Sequence, residues 1–453
     1  MNYWSAVALI DGVPNASTRI TTGGNGRIAT VEVGTPPAPG DIRMGVVLPG
    51  MGNAHSHSFH RALRGRTHSD GGDFWAWRTS MYEVAGRLDP DRYYDLALSV
   101  FHEMLLSGWT AVGEFHYVHH RPDGKPYDRR HAMELALAHA AQEAGIRLTL
   151  LDALYLTGGI NRPLSTEQLR FSDGSVHRWL ERWYDLRDAL GGLSAVTLGA
   201  AVHSVRAVPP PDIAVAASSV PPDVPLHIHL SEQVQENQEC EATFGTTPTQ
   251  LLADLGVLAP RLSLVHATHL TERDIGLIGD SGAVVVLCPT TEADLGDGIG
   301  PARALADAGA RLALGSDQNA VIDPFLEARG LEAGERLASR RRGRFSPAEL
   351  TGALTVGGYS SLGHAPPAGL APGGFCDLVE IDAQSIRTVG ALHDQLPLVA
   401  TAADVLRVIV GGRIVADGGA TPERDDPISP AARMARAIDA VVTGSSSERG
   451  GRE

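Results

Sequence analysis

The sequence predicts an α/β protein, a (β/α)8 barrel of the TIM type with a small β-sandwich domain built from both termini. Eight short apolar runs alternate with amphipathic helical patterns through the middle of the chain, which is typical of parallel βα units. Both ends of the chain instead carry short strand patterns separated by Gly- and Pro-rich turns. A chain of 453 residues is long enough for a barrel with an accessory domain.

The eight barrel strands are predicted from apolar runs bounded by turn residues. They cover residues 45–49, 110–115, 148–153, 196–202, 226–230, 262–266, 283–287 and 311–314. Between the strands the spacing of apolar residues predicts helices, for example over 91–107 and 132–144. Eight such units over about 300 residues predict a closed barrel.

The two ends of the chain are predicted to pair into one small β domain beside the barrel. Strands are expected over 27–33, 377–381 and 405–415, with a tight hairpin at the Gly-Gly pair 411–412. A helix over 430–442 and a disordered polar tail follow. The predicted division is 1–46 for the first part of the β domain, 47–365 for the barrel, 366–425 for the second part of the β domain, and 426–453 for the helix and tail.

Composition excludes several classes of function. Of the 38 basic residues only Lys125 is a lysine, and its turn-like Asp-Gly-Lys-Pro sequence is a poor place for covalent catalysis. The formal net charge of −15 argues against nucleic acid and anionic membranes as partners. Cys240, Cys288 and Cys376 are scattered, which fits a reducing cytoplasm rather than a disulfide framework. No signal peptide or membrane span is expected.

Residues of the metal-ligand type stand at the carboxyl ends of several predicted strands, where barrel active sites form. His55 and His57 follow strand one, His229 lies on strand five, and Asp317 follows strand eight. Because residues two apart on a strand share a face, His55 and His57 can reach one ion. Three or four such ligands with one open position are typical of catalytic zinc. The pattern predicts a metal centre formed by these four residues.

Further polar residues follow the same strand ends. His203 ends strand four, Glu232 follows His229 by three residues, and His266 ends strand six. A carboxylate and an imidazole beside a metal centre suit proton transfer. A second metal at HYVHH, residues 116–120, is disfavoured because its histidines are not at strand spacing. His227, deeper on strand five, is interpreted as a packing or supporting residue.

This arrangement resembles the amidohydrolase superfamily over nearly the whole chain. The motifs that carry the resemblance are PGMGNAHSH at 49–57, HIHLSEQ at 227–233, VHA at 265–267, GSD at 315–317 and DVLRVIVGGRIVAD at 404–417. The resemblance implies one metal bound by the His-x-His pair, the strand-five histidine and the strand-eight aspartate. Strand four ends in Ala-Val-His without the lysine that bridges two metals in other members, which favours a single metal.

A narrower resemblance is to the formimidoylglutamate deiminases. These enzymes remove ammonia from N-formimidoyl-L-glutamate in histidine degradation and leave N-formyl-L-glutamate. The resemblance rests on HSHSFHRALRGRTH at 55–68, FWAWRTSMY at 74–82, GEFHYVHHRPDGKPY at 113–127, CPTTEADLGDGIGP at 288–301 and GSDQNAVIDPFLEARGLEAGERL at 315–337. Two departures stand near the expected site: His60 where that family often has Gln, and Gln318-Asn319 where it often has Ser-His after the metal aspartate.

The resemblance implies a hydrolytic mechanism. One zinc ion per subunit, or iron or another divalent metal, activates a water molecule for attack on the formimidoyl carbon. Asp317 and His266 would orient this water and help to remove its proton. Glu232 would carry a proton to the imino nitrogen and help ammonia to leave.

The implied substrate is a small dicarboxylate, and an acidic protein needs local cations to bind it. Arginine matches a carboxylate bidentately, which lysine does not. The resemblance assigns substrate binding to Arg78 and Arg206, with Tyr117 and His203 as hydrogen-bond donors and His60 beside them. A homodimer is expected because closed dimers are the commonest oligomers.

Two alternatives stay open. Another deaminase of the superfamily, acting on a purine, pyrimidine or triazine ring, would use the same metal site but needs apolar and aromatic side chains at positions 78 and 206. A barrel that keeps the fold and the metal but serves as a binding protein would have no need of the proton-transfer residues Glu232 and His266.

Overall fold

The computed structural model describes residues 1–68, 74–364, 369–421 and 428–444. Its strands are β1 (Asn2–Ile10), β2 (Val13–Thr22), β3 (Ile28–Glu32), β4 (Ile42–Pro49), β5 (Met51–Ser56), β6 (Trp109–His116), β7 (Arg147–Leu154), β8 (Val196–Ser204), β9 (Leu226–Leu230), β10 (Leu262–His266), β11 (Val284–Leu287), β12 (Arg311–Leu314), β13 (Leu378–Ile381), β14 (Val405–Val410) and β15 (Arg413–Asp417).

The helices lie mainly between the barrel strands. The α-helices are α1 (Phe74–Arg87), α2 (Pro90–Ser107), α3 (Ala132–Ala144), α4 (Val176–Ala189), α5 (Pro210–Ser219), α6 (Val234–Phe244), α7 (Pro248–Asp254), α8 (Glu272–Ser281), α9 (Pro289–Leu295), α10 (Ala302–Asp307), α11 (Pro324–Ser339), α12 (Pro347–Gly352), α13 (Gly358–Ser361), α14 (Leu396–Val399) and α15 (Pro430–Thr443). Short 3-10 helices span Ser58–Leu63, Thr166–Phe171, His393–Gln395 and Ala402–Asp404, and a π-helical turn spans Ala353–Gly357.

Two sheets make up the fold. Strands β5 to β12 form an eight-stranded parallel sheet in chain order, and the other strands form a seven-stranded sheet in the order β15-β14-β13-β4-β1-β2-β3. The eight-stranded sheet curls into a nearly closed barrel, because Ser56 at the end of β5 forms a parallel bridge with Asp317 after β12. The predicted fold class, a barrel with a separate sheet built from both termini, is confirmed.

The first barrel strand begins later than predicted. The predicted strand 45–49 belongs to β4, which pairs with β1 and β13 in the small sheet, whereas the barrel starts with β5. Only Gly50 separates the two strands, and a Cβ there would lie 2.6–2.7 Å from three neighbouring side-chain atoms. The prediction is wrong because two apolar strands follow each other almost without a break, which hydrophobicity alone does not reveal. His55 therefore lies within a barrel strand rather than after it.

The remaining elements follow the sequence closely. The other seven predicted barrel strands match β6 to β12 to within two residues, and the predicted helices match α2, α3 and α15 to within one residue. The hairpin between β14 and β15 turns at Gly411 (φ 58°) and Gly412 (φ 70°), a pair of left-handed residues that glycine adopts without strain. The boundaries at 365/366 and 425/426 and the tail from residue 445 lie outside the described residues, so the domain division stays a prediction.

Local signals explain why the connecting segments are helical. In α2 the Asp89 side chain accepts a hydrogen bond from the Arg92 backbone N–H, Pro90 fits the first turn, and Gly108 ends the helix at φ 104°. The buried side chains of α2 pack against the outside of the barrel strands. No helix among the described residues is both long and apolar enough to span a membrane.

One aspartate ties the small sheet to the amino-terminal end of the barrel. The Asp377 carboxylate accepts hydrogen bonds from Arg147 at 2.6 and 3.0 Å, from Tyr359 at 2.6 Å and from the Gly411 backbone at 2.6 Å. The small sheet therefore contacts the amino-terminal end of the barrel, and the carboxyl ends of the strands lie on the opposite side.

Candidate active site

The carboxyl ends of the barrel strands open into a cleft with room for about 100 Å³ of water-sized molecules. Ten of the eleven predicted site residues line it: His57, His60, Arg78, Tyr117, His203, Arg206, His229, Glu232, His266 and Asp317. The eleventh, His55, is fully buried against His229 and Asp317. The site residues therefore come together in space although they span more than half of the chain.

The four predicted metal ligands converge on one point. His55 Nε2 and His57 Nε2 lie 3.4 and 3.6 Å from Asp317 Oδ1, and His229 Nε2 lies 3.1 Å from His55 Nε2. The donor atoms of the three histidines are within 4.8 Å of one another. Strand β5 places His55 and His57 on the same inward face, while β9 and the end of β12 bring the other two ligands to it.

Backbone carbonyls fix the orientation of two of these imidazoles. His57 Nδ1 lies 2.8 Å from the Phe115 carbonyl oxygen, and His229 Nδ1 lies 2.8 Å from the His203 carbonyl oxygen. Because a carbonyl only accepts, each Nδ1 must carry the proton, and each Nε2 then presents a lone pair to the centre. Converging lone pairs and a carboxylate, all buried, fit a divalent metal such as zinc.

The protonation states of the ligands agree with this fit. Burial lowers the pKa of His55 to about 3 and lowers the pKa of His57 and His229 as well, so the imidazoles are neutral at physiological pH. Burial opposes the charge of Asp317, but the neighbouring His55, His266 and His57 outweigh it and lower the pKa of this carboxyl. Three neutral imidazoles and one carboxylate are the ligand forms that a metal requires.

Two proton-transfer candidates lie beside the ligands. His266 Nε2 is 3.9 Å from both Glu232 Oε1 and Asp317 Oδ2, and its Nδ1 is 3.5 Å from Glu292 Oε1. Burial opposes the imidazolium form, but the three surrounding carboxylates outweigh it and raise the pKa of His266 to about 10. His266 is therefore a protonated group between carboxylates that face the cleft.

Backbone strain is concentrated at the ends of the ligand-bearing strands. Ser231 after β9, His266 at the end of β10 and Asp317 after β12 have φ values of 49°, 72° and 40°. This left-handed region costs a non-glycine residue about 1–3 kcal/mol, and such strain clusters at functional sites. The geometry persists at Asp317 because its N–H donates to the His55 carbonyl and its carbonyl accepts from the His57 N–H, both at 2.9 Å.

The predicted substrate anchor Arg206 already has protein partners. Its Nη2 donates to Glu232 Oε2 at 2.8 Å, and its Nε lies 3.4 Å from Glu236 Oε2. Burial opposes the guanidinium charge, but Glu236 and Glu232 outweigh it and raise the pKa of Arg206. Arg206 thus holds Glu232 in place as well as facing the cleft, a second role that the sequence does not indicate.

The other predicted substrate contacts lie around the same cleft. Arg78 Nε donates to Tyr82 Oη at 2.7 Å, and His60 Nε2 lies 3.1 Å from Tyr117 Oη. His203 packs its ring 5.0 Å from that of His229. These side chains surround the metal centre with hydrogen-bond donors.

The cleft-lining residues that sequence reasoning missed include Tyr82, Tyr155, Arg162, Glu236 and Glu239. Helical spacing could have found three of them, because Tyr82 stands four residues after Arg78 on α1, and Glu236 and Glu239 follow Glu232 by four and seven residues on or near α6. Arg162, whose Nη2 donates to both Glu239 oxygens at 2.6 Å, lies on an irregular loop that offers no such signal.

The two residues after the metal aspartate do not line the cleft. Gln318 Nε2 donates to Asp294 Oδ2 at 2.7 Å, while Asn319 Nδ2 donates to the His57 carbonyl at 3.0 Å. The Asn319 contact joins the segment after β12 to the end of β5, where the barrel closes, and the Gln318 contact joins the same segment to α9. Of the two departures from the resembled family, only His60 faces the cleft.

The HYVHH segment forms a second buried group despite its spacing. Ligand-type atoms of His116, His119 and Glu134 lie within 4.8 Å of one another. The Arg182 guanidinium lies 3.1 Å from Glu134 Oε1 and 2.8 Å from Asp152 Oδ2. Because Arg182 supplies the positive charge that these carboxylates need, the group is an ion-pair network that joins α3 and α4 to β7.

The fold and the site define a class of protein. Residues 46–415 match the amidohydrolase family. The chain belongs to this family, among its deaminases.

Two deaminases are similar to this chain over most of its length. A formimidoylglutamate deiminase from Pseudomonas aeruginosa is 40% identical over 363 residues, covering 78% of this chain and 80% of that protein. An 8-oxoguanine deaminase from the same species is 31% identical over 412 residues, covering 89% of each chain. The family is thus firmly established, while its members act on different substrates.

Solved structures agree with the architecture. An amidohydrolase from Brucella melitensis superposes with a TM-score of 0.91 at 34% identity, covering 97% of this chain and 99% of that chain. An adenosine deaminase from Xanthomonas campestris, solved with bound zinc, gives a TM-score of 0.81 at 23% identity over 98% of each chain. The second likeness supports the fold alone.

Proposed function

We propose that this protein is a formimidoylglutamate deiminase that hydrolyses N-formimidoyl-L-glutamate to N-formyl-L-glutamate and ammonia, a reaction of histidine degradation. The proposal rests on the position of Arg78 and Arg206, which line the same cleft as the candidate metal ligands. A dianionic substrate needs such cations, and a neutral ring substrate does not. The 40% identity to a formimidoylglutamate deiminase supports the same substrate.

The metal would be held by His55, His57, His229 and Asp317. Zinc suits this set of nitrogen and oxygen donors, and iron or another divalent ion would fit it as well. When bound, the ion supplies Lewis acidity and a water molecule that loses its proton near neutral pH. One ion per subunit is proposed, because the Arg182 guanidinium already balances the charge of Glu134 and Asp152 beside the histidines of the HYVHH segment.

The side chains around the metal ligands would move the protons of the reaction. Water adds to the formimidoyl carbon, and one of its protons passes to the Asp317 carboxylate, which the protonated His266 at 3.9 Å helps to orient. Glu232, held by Arg206 at 2.8 Å, would deliver a proton to the imino nitrogen. The second proton of the water, which the hydroxyl group of the adduct still carries, would follow to the same nitrogen. The bond between the carbon and this nitrogen then breaks, ammonia leaves, and the formyl product keeps the oxygen of the water.

The substrate carboxylates would be bound away from the metal. Arg78 and Arg206 offer guanidinium groups, and Tyr117, His203 and His60 offer hydrogen bonds at the cleft wall. Charge-assisted bonds of this kind are about twice as strong as neutral ones. Together they would orient the formimidoyl group toward the metal centre.

A ring deaminase is the second candidate, favoured by the 31% identity to 8-oxoguanine deaminase. It calls for apolar and aromatic side chains at positions 78 and 206, whereas arginines stand at both and a third, Arg162, lines the same cleft. The proposed substrate explains these cations, and a purine does not.

The proposal is tested by turnover. Zinc-loaded protein is incubated with N-formimidoyl-L-glutamate, 8-oxoguanine or S-adenosylhomocysteine, and ammonia and the second product are quantified. We expect ammonia and N-formyl-L-glutamate from the first substrate only, and none with the Asp317→Ala variant. No turnover of N-formimidoyl-L-glutamate by metal-loaded protein would refute the assignment.

The proposal extends to the compartment and the oligomeric state of the enzyme. The three cysteines are free and buried, which suits a reducing cytoplasm. A homodimer is proposed from the frequency of such assemblies. Sedimentation of the purified protein tests the oligomer, since a monomer at micromolar concentration contradicts it.

A further inference from the structure

A buried glutamine on the short helix Thr166–Phe171 has a fixed amide orientation. The Ser165 backbone N–H donates to Gln168 Oε1 at 2.8 Å. Because an N–H can donate only to the amide oxygen, Gln168 Nε2 must point the other way. Gln168 is 3% exposed, so its two remaining N–H groups need acceptors inside the protein.

These two N–H groups are given to two tyrosines of the cleft wall. Gln168 Nε2 donates to Tyr82 Oη at 3.0 Å and to Tyr155 Oη at 2.8 Å. Arg78 Nε donates to the same Tyr82 oxygen at 2.7 Å. Tyr82 therefore accepts two hydrogen bonds and Tyr155 accepts one.

The directions of these bonds leave both hydroxyl protons available. A phenol has one proton and two acceptor positions, and both positions of Tyr82 are filled by donors that cannot accept. Across the described parts of the chain, neither Tyr82 nor Tyr155 donates its proton to a protein acceptor in the hydrogen-bond network. Since both side chains line the cleft, an acceptor for their protons must come from the cleft itself.

The tyrosine pair lies beyond the residues next to the metal ligands. The Tyr117 ring is 5.3 Å from His57, and the His203 ring is 5.0 Å from His229. Tyr155 stands further out, 4.5 Å from His203 and 6.4 Å from Tyr117. Tyr82 packs on Phe171 at 6.1 Å, on the outer side of the same aromatic wall.

We propose that Tyr82 and Tyr155, aligned by Gln168, form a donor pair that binds the distal carboxylate of a dicarboxylate substrate. This inference rests on the proposed function and assigns specificity to three residues outside the predicted site. A carboxylate offers only acceptors, so it matches the Tyr82 hydroxyl, which can only donate, and the Tyr155 hydroxyl, whose proton has no protein acceptor among the described residues, beside the Arg78 guanidinium. Burial and the neighbouring Tyr155 raise the pKa of Tyr82, which keeps its proton in place across the physiological range.

The first test is Tyr82→Phe, which changes the side-chain volume little and removes the donated proton together with the acceptor of Arg78 and Gln168. Hydrogen bonds to charged groups predict a rise of about 10- to 100-fold in KM for N-formimidoyl-L-glutamate, with kcat within about threefold of wild type. Tyr184→Phe is the matched control, because the Tyr184 hydroxyl donates to the Ser219 carbonyl at 2.7 Å away from the cleft. An unchanged KM in Tyr82→Phe would overturn the proposal.

The second test reverses the hydrogen bonds without removing them. Gln168→Glu keeps the acceptor for the Ser165 N–H, but its carboxylate draws both tyrosine protons away from the cleft. We expect a KM increase at least as large as that of Tyr82→Phe, with cooperative thermal unfolding retained. A folded Gln168→Glu protein with wild-type KM would show that bond direction is irrelevant.

Substrate analogues separate this inference from the proposed function. N-formimidoyl-L-norvaline keeps the proximal carboxylate and lacks the distal one, so Tyr82→Phe should leave its KM or inhibition constant unchanged. An equal effect on both compounds would contradict distal binding. If wild-type protein turns over neither compound, the proposed function fails, and calorimetric binding of glutarate against butyrate still tests the donor pair: an equal loss for both in Tyr82→Phe would refute it.

Discussion

Arg206 lines the cleft and binds Glu232, the proposed proton-transfer carboxylate, so its removal should affect stability and catalysis together. Its side chain is 17% exposed and lies 2.8 Å from Glu232 and 3.4 Å from Glu236. Arg206→Gln leaves the buried Glu236 without a countercharge, while Glu232 keeps only His266 at 3.9 Å. Removing one partner of a buried ion pair costs about 3–5 kcal/mol, and because Gln still offers an N–H donor, we expect a loss near the lower figure in the free energy of unfolding.

A matched variant isolates the effect of burial. Arg162 binds Glu239 at 2.6 Å in the same cleft but is 55% exposed, and exposed pairs contribute about 0–1 kcal/mol. Arg162→Gln should therefore cost less than about 1 kcal/mol in urea unfolding followed by tryptophan fluorescence. Adding Glu236→Gln to Arg206→Gln should restore most of the lost stability, because it removes the uncompensated charge. Equal losses in the two single variants would refute this reasoning.

Kinetics test the anchor role separately. Loss of one charged hydrogen bond to the substrate corresponds to about 2 kcal/mol, or roughly a 30-fold higher KM for N-formimidoyl-L-glutamate. The kcat should fall as well, since Glu232 loses the donor that orients it. A KM for Arg206→Gln within about twofold of wild type would refute an anchoring role.

Three further predictions concern the proton shuttle, the metal and pH. Glu232→Gln should lower kcat about 10²- to 10⁴-fold with KM and zinc content nearly unchanged, and a kcat near wild type would exclude Glu232 as the proton donor. Chelation should abolish turnover and lower the urea midpoint, with added zinc restoring both, whereas activity that survives verified metal loss would contradict a metal centre. Burial lowers the pKa of His364 from 6.5 to about 4. Protonation then favours the unfolded chain, so the free energy of unfolding should fall as the pH drops from 6.5 toward 4. His364→Asn should reduce this pH dependence, and an identical pH profile would refute the assignment.

The fold could be predicted because its signals are local and repeated. Each barrel strand is a short apolar run between turn residues, and His55 and His57 stand at the spacing that places two side chains on one face. The boundary at Gly50 could not be predicted in the same way, because strands β4 and β5 are both apolar and belong to different sheets. Pairing partners, not hydrophobicity, decide that division.

The residue types of the site could be predicted better than their partners. Arg206 was expected to face a substrate, and its contact with Glu232 depends on how the loop after β8 approaches the loop after β9. The Gln168 bridge joins Tyr155, 13 residues before it, to Tyr82, 86 residues before it. No spacing within one element signals such a contact, since only the closed barrel brings these segments together.

The backbone bridge between β5 and the segment after β12 couples metal binding to the closure of the barrel. The His55 carbonyl accepts from the Ser316 and Asp317 N–H groups at 3.1 and 2.9 Å, so the backbone that closes the barrel is the backbone that carries the ligands. Ion affinity and the local opening of this seam are therefore reciprocally linked. Amide hydrogen exchange at 55–57 and 316–319 should slow when the ion binds, while the seams between the other strands respond far less. A bound metal ion would therefore stabilise the contact between β5 and the segment after β12. A substitution that destabilises β12 would in turn weaken metal binding, even where it changes none of the metal ligands.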